Sequence, residues 1–289
     1  MSLRIGTRGS ALALAQARQV ADALGGGELV EIATAGDRGA PGGDKSRWVA
    51  ELERALLDAE VDIAVHSAKD VPGELAAGLA IAAVPARADA RDVLVGAASL
   101  DALAPGARVG TSSLRRAAQL RAAREDLEIV SMRGNVDTRL RRQAEGEWDA
   151  IVLARAGLER LGRASEAGGA LDPAVFVPAP GQGALAVETR VGDEARVAGL
   201  DDPESHARLR AERALTVALG ASCHTPVGAY AEALDGGFAL TGFAGLPDGS
   251  LWVRDRLEGS DPEALGRAVA ERMLAAGAGE ILRQAEAAA

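Results

Sequence analysis

Three stretches of the chain hold residues able to do chemistry. HSAKDVP (66–72) sets Lys69 beside Asp70 and stops at a proline. An acid next to an ammonium group can manage proton transfer or stabilise a cationic intermediate. The same pattern also suits an Asx-type turn ahead of Pro72, and on pattern alone both readings stand. GASCHTPVG (220–228) contains Cys223, the single cysteine among 289 residues, in a glycine-flanked loop beside His224. A lone thiol is most often a small buried hydrophobe. A loop position next to a histidine favours a reactive or modified one. Adjacent residues of an extended loop point apart, which argues against a Cys-His dyad.

The third stretch is basic. Residues 108 to 142 contain nine arginines (108, 115, 116, 121, 124, 133, 139, 141 and 142) against four acids, a balance of +5 inside a chain of net charge −10. That concentration suits a small polyanion held in a cleft. Solvated surface arginine is the default for Arg121, Arg124, Arg141 and Arg142. Of the 32 basic residues, 30 are arginine, and only Lys45 and Lys69 are lysine. Lysine is a compact point charge where arginine is a planar fork, so these two positions either require an ammonium or are survivors on a solvated surface.

The elements that must position these residues follow from periodicity. LRIGT (3–7), ELVEIAT (28–34) and DIAVHS (62–67) read as strands alternating with helical stretches at 10–24 and 48–58, and LAIAAVP (79–85) closes the block. After Pro85 the pattern restarts with DVLVG (92–96), ARVGT (107–111), LEIVSM (127–132) and DAIVLA (149–154), again with helices between. Alternation of this kind predicts two α/β units with parallel or mixed sheets. IGTRGS (5–10) and VGTSSL (109–114) each put Gly-Thr at a strand end and a serine at a helix start. Both turns are either ordinary caps or anion sites, and two copies with Arg8, Arg115 and Arg116 alongside favour a ligand. SMRGNVDTRL (131–140) adds Arg133, an N-cap at Asn135, and Arg139 one turn on.

PARADARD (85–92) and VPAPGQGALAVE (177–188) connect the units. ALAVETR (184–190) reads as a strand able to rejoin the first sheet, giving a double-crossover hinge. Beyond Asp201 a helix at 203–219, three antiparallel strands with a PDGS turn (247–250) and a second helix from Pro262 predict a small C-terminal α+β domain. The expected domains are 1–86 with 183–201, 90–177, and 203–289.

Composition narrows the function. The acidic balance and only seven aromatic residues argue against nucleic acid. One cysteine and three scattered histidines leave no disulfide and no metal-ligand spacing. Apolar runs are short and broken by charge, so no membrane span is expected; the single cysteine favours the reducing cytoplasm, and a monomer is expected.

TRGSALALAQ, ELERALL, DIAVHSAKDVP, VGTSSLRRAAQL, RGNVDTRL, DAIVLARAGLERLG, PAPGQGALAVE and SCHTPVGAY, in this order over some 220 residues, resemble the hydroxymethylbilane synthase (porphobilinogen deaminase) family. The resemblance implies two periplasmic-binding-protein-like domains and head-to-tail condensation of four porphobilinogen molecules, with loss of ammonia, in haem biosynthesis. It implies a dipyrromethane cofactor in thioether linkage to Cys223, with Asp70 as the catalytic aspartate that stabilises the cation formed as ammonia leaves. It further matches Lys69, Ser113, Arg115, Arg116, Thr111 and Lys45 to cofactor contacts, and Arg8, Ser10, Arg133, Arg139, Arg160 and Gln182 to substrate or chain contacts. Here the chain departs from the family's usual Gly-Gly before the cysteine and Gln-Val-Pro after it, with Ala221-Ser222 and His224-Thr225-Pro226 instead. Trp48 and Ala50 depart from its usual Phe and Lys. A non-catalytic ligand binder of the same fold is the rival reading, and it would not need the pairing of Asp70 with Cys223.

Overall fold

The computed structural model describes residues 2–34, 46–221 and 225–287. The first sheet contains β1 (Arg4–Thr7), β2 (Glu28–Glu31), β3 (Ile63–Ser67), β4 (Leu79–Ala83) and β9 (Leu185–Arg190), in the order β2-β1-β3-β9-β4. β1 runs parallel to β2 and β3, while β9 enters antiparallel between β3 and β4. Helices α1 (Ala11–Ala23) and α2 (Ser46–Leu57) pack against it. Their buried rows, Ala17, Val20 and Ala21 on α1 and Leu52, Ala55 and Leu56 on α2, follow the helical period the sequence shows.

The second sheet repeats the plan. It orders β5 (Asp92–Val95), β6 (Arg108–Gly110), β7 (Glu128–Val130) and β8 (Ala150–Ala154) as β5-β8-β6-β7, with β5 antiparallel and the others parallel. Helices α3 (Leu114–Ala123), α4 (Val136–Ala144) and α5 (Arg155–Arg160) accompany it. The chain leaves the first sheet after β4, builds all of the second, and returns as β9. The expected double crossover is therefore present.

Helix starts are chemically marked. Ser10 caps α1, Ser113 caps α3 and Asn135 caps α4, each accepting a backbone N–H from three residues ahead. Such caps stabilise a helix by about 1 kcal/mol each.

In the C-terminal part, β10 (Val227–Leu234), β11 (Gly237–Gly245) and β12 (Trp252–Gly259) form an antiparallel sheet with β11 central. Helices α6 (Pro203–Ala218) and α7 (Pro262–Ala275) share its core through Leu215, Leu265, Val269 and Met273. Phe243 of β11 faces the other way and packs with Ala118 of α3 and Val177. The sequence reading of two helices here is corrected by a third, α8 (Ala278–Ala287), which adds Ala278 and Leu282 to the same core. Gly277, at φ +98, breaks the helical run. That turn hides α8 in the pattern, because it reads as a helix end.

Candidate active site

Strand β3 stops at Ser67, and a single 3-10 turn, Ala68–Asp70, carries Lys69 and Asp70 at the carboxyl edge of the first sheet. Several contacts fix this turn. Ala68 N donates to Ala184 O at 3.0 Å. Ser67 Oγ accepts from Gln16 Nε2 of α1 at 2.7 Å. Lys69 Nζ donates to Gln182 Oε1 at 3.4 Å. Gly181 lies so close that a Cβ there would stand 2.9 Å from Ala68 C and 3.0 Å from Lys69 N, and its φ is +73. Only glycine meets both conditions. Beneath the turn, His66 Nε2 lies 3.0 Å from Glu188 Oε2, with both side chains buried.

Opposite this turn stand the arginines of the second sheet. Lys69, Gln16 and Ser67 line one side of a cleft, and Arg116, Arg139 and Arg160 line the other, with Gly181 and Gly183 of the returning crossover at its end. Four cations line the cleft and no carboxylate does, among the described residues. Burial lowers the pKa of Arg139, and the neighbouring Arg116 charge lowers it further. Burial carries Arg160 down to about 10, with Glu159 opposing only in part. The buried Arg160 Nε has no hydrogen-bond partner among the described residues, while its Nη2 donates to Gly183 O at 2.7 Å. An orphaned donor on a desolvated cation is a demand for an anion.

Arg116 is compensated from behind. Its Nη2 and Nε donate to Asp92 Oδ1 at 2.7 and 3.0 Å, and Arg115 Nη2 donates to Asp92 Oδ2 at 2.8 Å. Burial pushes the Asp92 carboxyl up, but the two guanidinium groups and a hydrogen bond from Gln182 outweigh it and hold the pKa below the ordinary carboxylate value. Gln182 Nε2 bonds both Asp92 Oδ1 and Ala90 O, at 2.9 and 2.7 Å. Arg115 Nη1 bonds Val177 O at 2.6 Å. Asp92 thus ties the outgoing crossover to the returning one.

Of the residues expected from sequence, Lys69, Arg116, Arg139 and Arg160 come together around the cleft. Asp70 sits half-buried on the turn that leads into it. Arg115 and Gln182 stand behind the cleft wall on Asp92. The Ser10 and Ser113 hydroxyls accept from Ala13 N and Arg116 N, and Thr111 Oγ1 accepts from Ser113 N. Arg8 is half-buried at the end of β1, and Arg133 is exposed. Lys45 and Cys223 lie outside the described residues.

Sequence reasoning missed four contributors, Asp92 among them. Gln16, the one amide in the apolar run ALALAQA, was the legible one. Arg87 and Glu212 were not. They form a buried bidentate pair at 2.6 and 3.1 Å, and Glu212 also accepts from Gly181 N and Ala231 N. Arg121, expected to be solvated, donates to Pro247 O at 2.6 Å and so joins α3 to the β11–β12 turn.

A two-pyrrole group bearing acetate and propionate arms fits a cleft with four cations and an orphaned arginine donor. Comparison with known proteins bears on the same point. The family model described as "Porphobilinogen deaminase, dipyromethane cofactor binding domain" matches residues 3–198, and that for the "Porphobilinogen deaminase, C-terminal domain" matches residues 206–275. The porphobilinogen deaminase of Brevibacillus brevis is 46% identical over 97% of this chain and 96% of its own. That of Thermus thermophilus is 49% identical over 97% of this chain and 98% of its own. Among solved structures, the periplasmic sulfonate-binding protein SsuA of Methylobacillus flagellatus is 14% identical with a TM-score of 0.36, covering 73% of this chain and 66% of that one. At that level the fold assignment rests on the strand orders alone. Two family domains in register and near-half identity along almost the whole length place the chain in the porphobilinogen deaminase family.

Proposed function

We propose that the cleft joins four porphobilinogen molecules head to tail into hydroxymethylbilane on a dipyrromethane primer held by Cys223. At each addition the aminomethyl C–N bond breaks, ammonia leaves, a carbon–carbon bond forms to the free pyrrole α-carbon of the growing chain, and that carbon's proton is released; after four additions water would cleave the bond to the primer and supply the hydroxyl of the freed tetrapyrrole. The primer, when bound, supplies the first such α-carbon. Lys69, Arg116, Arg139 and Arg160 would hold the primer's carboxylates and those of the incoming ring. Arg8, Ser10, Lys45, Thr111, Ser113 and Arg133 would extend the same anion-binding surface along the chain. Arg115 and Gln182 would support it from behind through Asp92. The Asp70 carboxylate would face the cation that develops as ammonia departs, a charge that a preorganised carboxylate stabilises strongly in a desolvated site.

The observation that carries this reading is the cleft lined, among the described residues, by four cations and no carboxylate beside the Asp70 turn. Family membership sets aside the non-catalytic ligand binder. We place the enzyme in the cytoplasm as a monomer, with three domains at 1–86 plus 183–201, 90–177 and 203–289. Intact-mass measurement under denaturing conditions tests the core of the proposal. The purified protein should exceed its sequence mass by a two-pyrrole adduct, and Cys223→Ser should lack it. Unmodified, folded protein that leaves porphobilinogen unconsumed would sink the reading.

A further inference from the structure

One face of α6 is turned entirely to the machinery described above. Ser205 Oγ accepts from Arg87 N at 2.9 Å. Leu209 packs with Ala68 and Val71 of the Asp70 loop. Glu212 takes Arg87 and Gly181. Arg213 completes the row. Positions 205, 209, 212 and 213 share one stripe by helical period.

Arg213 has an unusual set of partners. Its Nη1 donates to Val71 O at 3.4 Å, and its Nη2 donates to Pro72 O at 2.8 Å and Gly73 O at 2.9 Å. These are the three carbonyls that follow Asp70. Proline at 72 offers no N–H, which removes one backbone donor from this loop, where Val71 N bonds back to Ala68 O at 3.2 Å. Val217, one turn further along α6, approaches the same loop closely enough that a Cβ on Gly73 would lie 3.1 Å from it. Burial lowers the Arg213 pKa, with the Glu188 charge opposing. A guanidinium still charged at neutral pH, facing three carbonyl oxygens, is a charge-assisted clamp.

We infer that Arg213 is a positioning residue for the reaction, gripping the 71–73 carbonyls so that the turn bearing Lys69 and Asp70 is held in register with the cleft arginines. The inference rests on the role proposed for Asp70. It gives α6 a part in the active site beyond its place ahead of Cys223 in the chain. The strain of a misplaced catalytic carboxylate falls chiefly on the rate of bond breaking, because three of the four cleft cations, Arg116, Arg139 and Arg160, stand on other elements and Lys69 alone shares the turn.

Arg213→Met removes the clamp and keeps the apolar stem. Its kcat for porphobilinogen consumption should fall about 10- to 100-fold, as displacements of the order of 1 Å do, while KM stays within about twofold and the two-pyrrole adduct remains. Amide hydrogen exchange of residues 68–74 should accelerate by about tenfold or more, with exchange in the second sheet unchanged. Arg213→Lys should recover part of the rate, and guanidinium should partly rescue Arg213→Ala. Wild-type kcat in Arg213→Met, a rise in KM at constant kcat, or unchanged exchange at 68–74 overturns the clamp. If Arg213→Met does not fold, Arg213→Lys is read by the same criteria: lowered kcat with unchanged KM supports the inference, and wild-type kcat overturns it. Wild-type protein unable to consume porphobilinogen tells instead against the functional reading, and the exchange experiment then decides the clamp alone.

Discussion

Arg116 Nη2 lies 2.7 Å from Asp92 Oδ1, and both side chains are almost wholly enclosed. Arg115 shares the same carboxylate, so one anion offsets two buried cations. Asp92→Asn leaves both arginines uncompensated and is expected to cost about 3–5 kcal/mol of stability, the usual range for breaking a buried ion pair from one side. The folded carboxyl has a lowered pKa, so its stabilisation is complete above the unfolded value and lost as pH falls below about 4. Urea unfolding at pH 7 and pH 3 checks both statements. The variant's deficit should be large at neutral pH and shrink in acid, and an equal urea midpoint at pH 7 contradicts the role assigned to Asp92.

Asp70→Asn separates attachment from turnover. The substitution keeps shape and removes the charge proposed to stabilise the departing-ammonia cation. Intact mass should still show the two-pyrrole adduct, and porphobilinogen consumption should drop by at least about 100-fold, as loss of a single preorganised electrostatic partner does. Turnover within a few fold of wild type would remove Asp70 from the chemistry.

The local parts of this architecture were legible because their causes are local. Ser10, Ser113 and Asn135 each sit three residues from the N–H they accept, so Gly-Thr followed by serine, or Asn ahead of a helical run, is enough to find the cap. The strand period of ALAVETR exposed β9 as a strand able to rejoin the first sheet. Long-range polar pairs leave no such trace. Asp92 meets Gln182 across 90 residues, and Arg87 meets Glu212 across 125. Nothing in the spacing of an arginine in a linker or a glutamate on a helix announces a partner in another unit. Arg121 was misread for the same reason: its partner is a carbonyl 126 residues away, in a turn whose own sequence signals only a hairpin.

Arg160 is expected to set the alkaline limit of the anion binding proposed for the cleft. Its charge is lost as pH rises through about 10, well before an ordinary arginine. Arg160→Ala should raise KM by about 10- to 100-fold, the equivalent of one charge-assisted hydrogen bond of about 1.5–3 kcal/mol. The KM of the wild type should climb as pH passes this value, and the climb should flatten in Arg160→Ala. Parallel profiles for the two proteins between pH 8.5 and about 10.5 would assign the limit to another group.

Gly181 separates close contact from backbone strain. Its φ of +73 alone would charge any L-residue about 1 kcal/mol. A Cβ would in addition press on Ala68 C and Lys69 N, both backbone atoms that cannot swing aside. Gly106 offers the matched control, with φ +75 and nothing within 4 Å of its virtual Cβ. Gly106→Ala should therefore lose only about 1 kcal/mol of stability and keep its rate. Gly181→Ala should lose more stability and should also lower kcat by about tenfold or more, because the pressure falls on the turn that carries Lys69 and Asp70. Both variants need only thermal unfolding and initial rates. Equal effects from the two would mean that the returning crossover does not position the turn, and that its nearness to Lys69 is packing without consequence for the reaction.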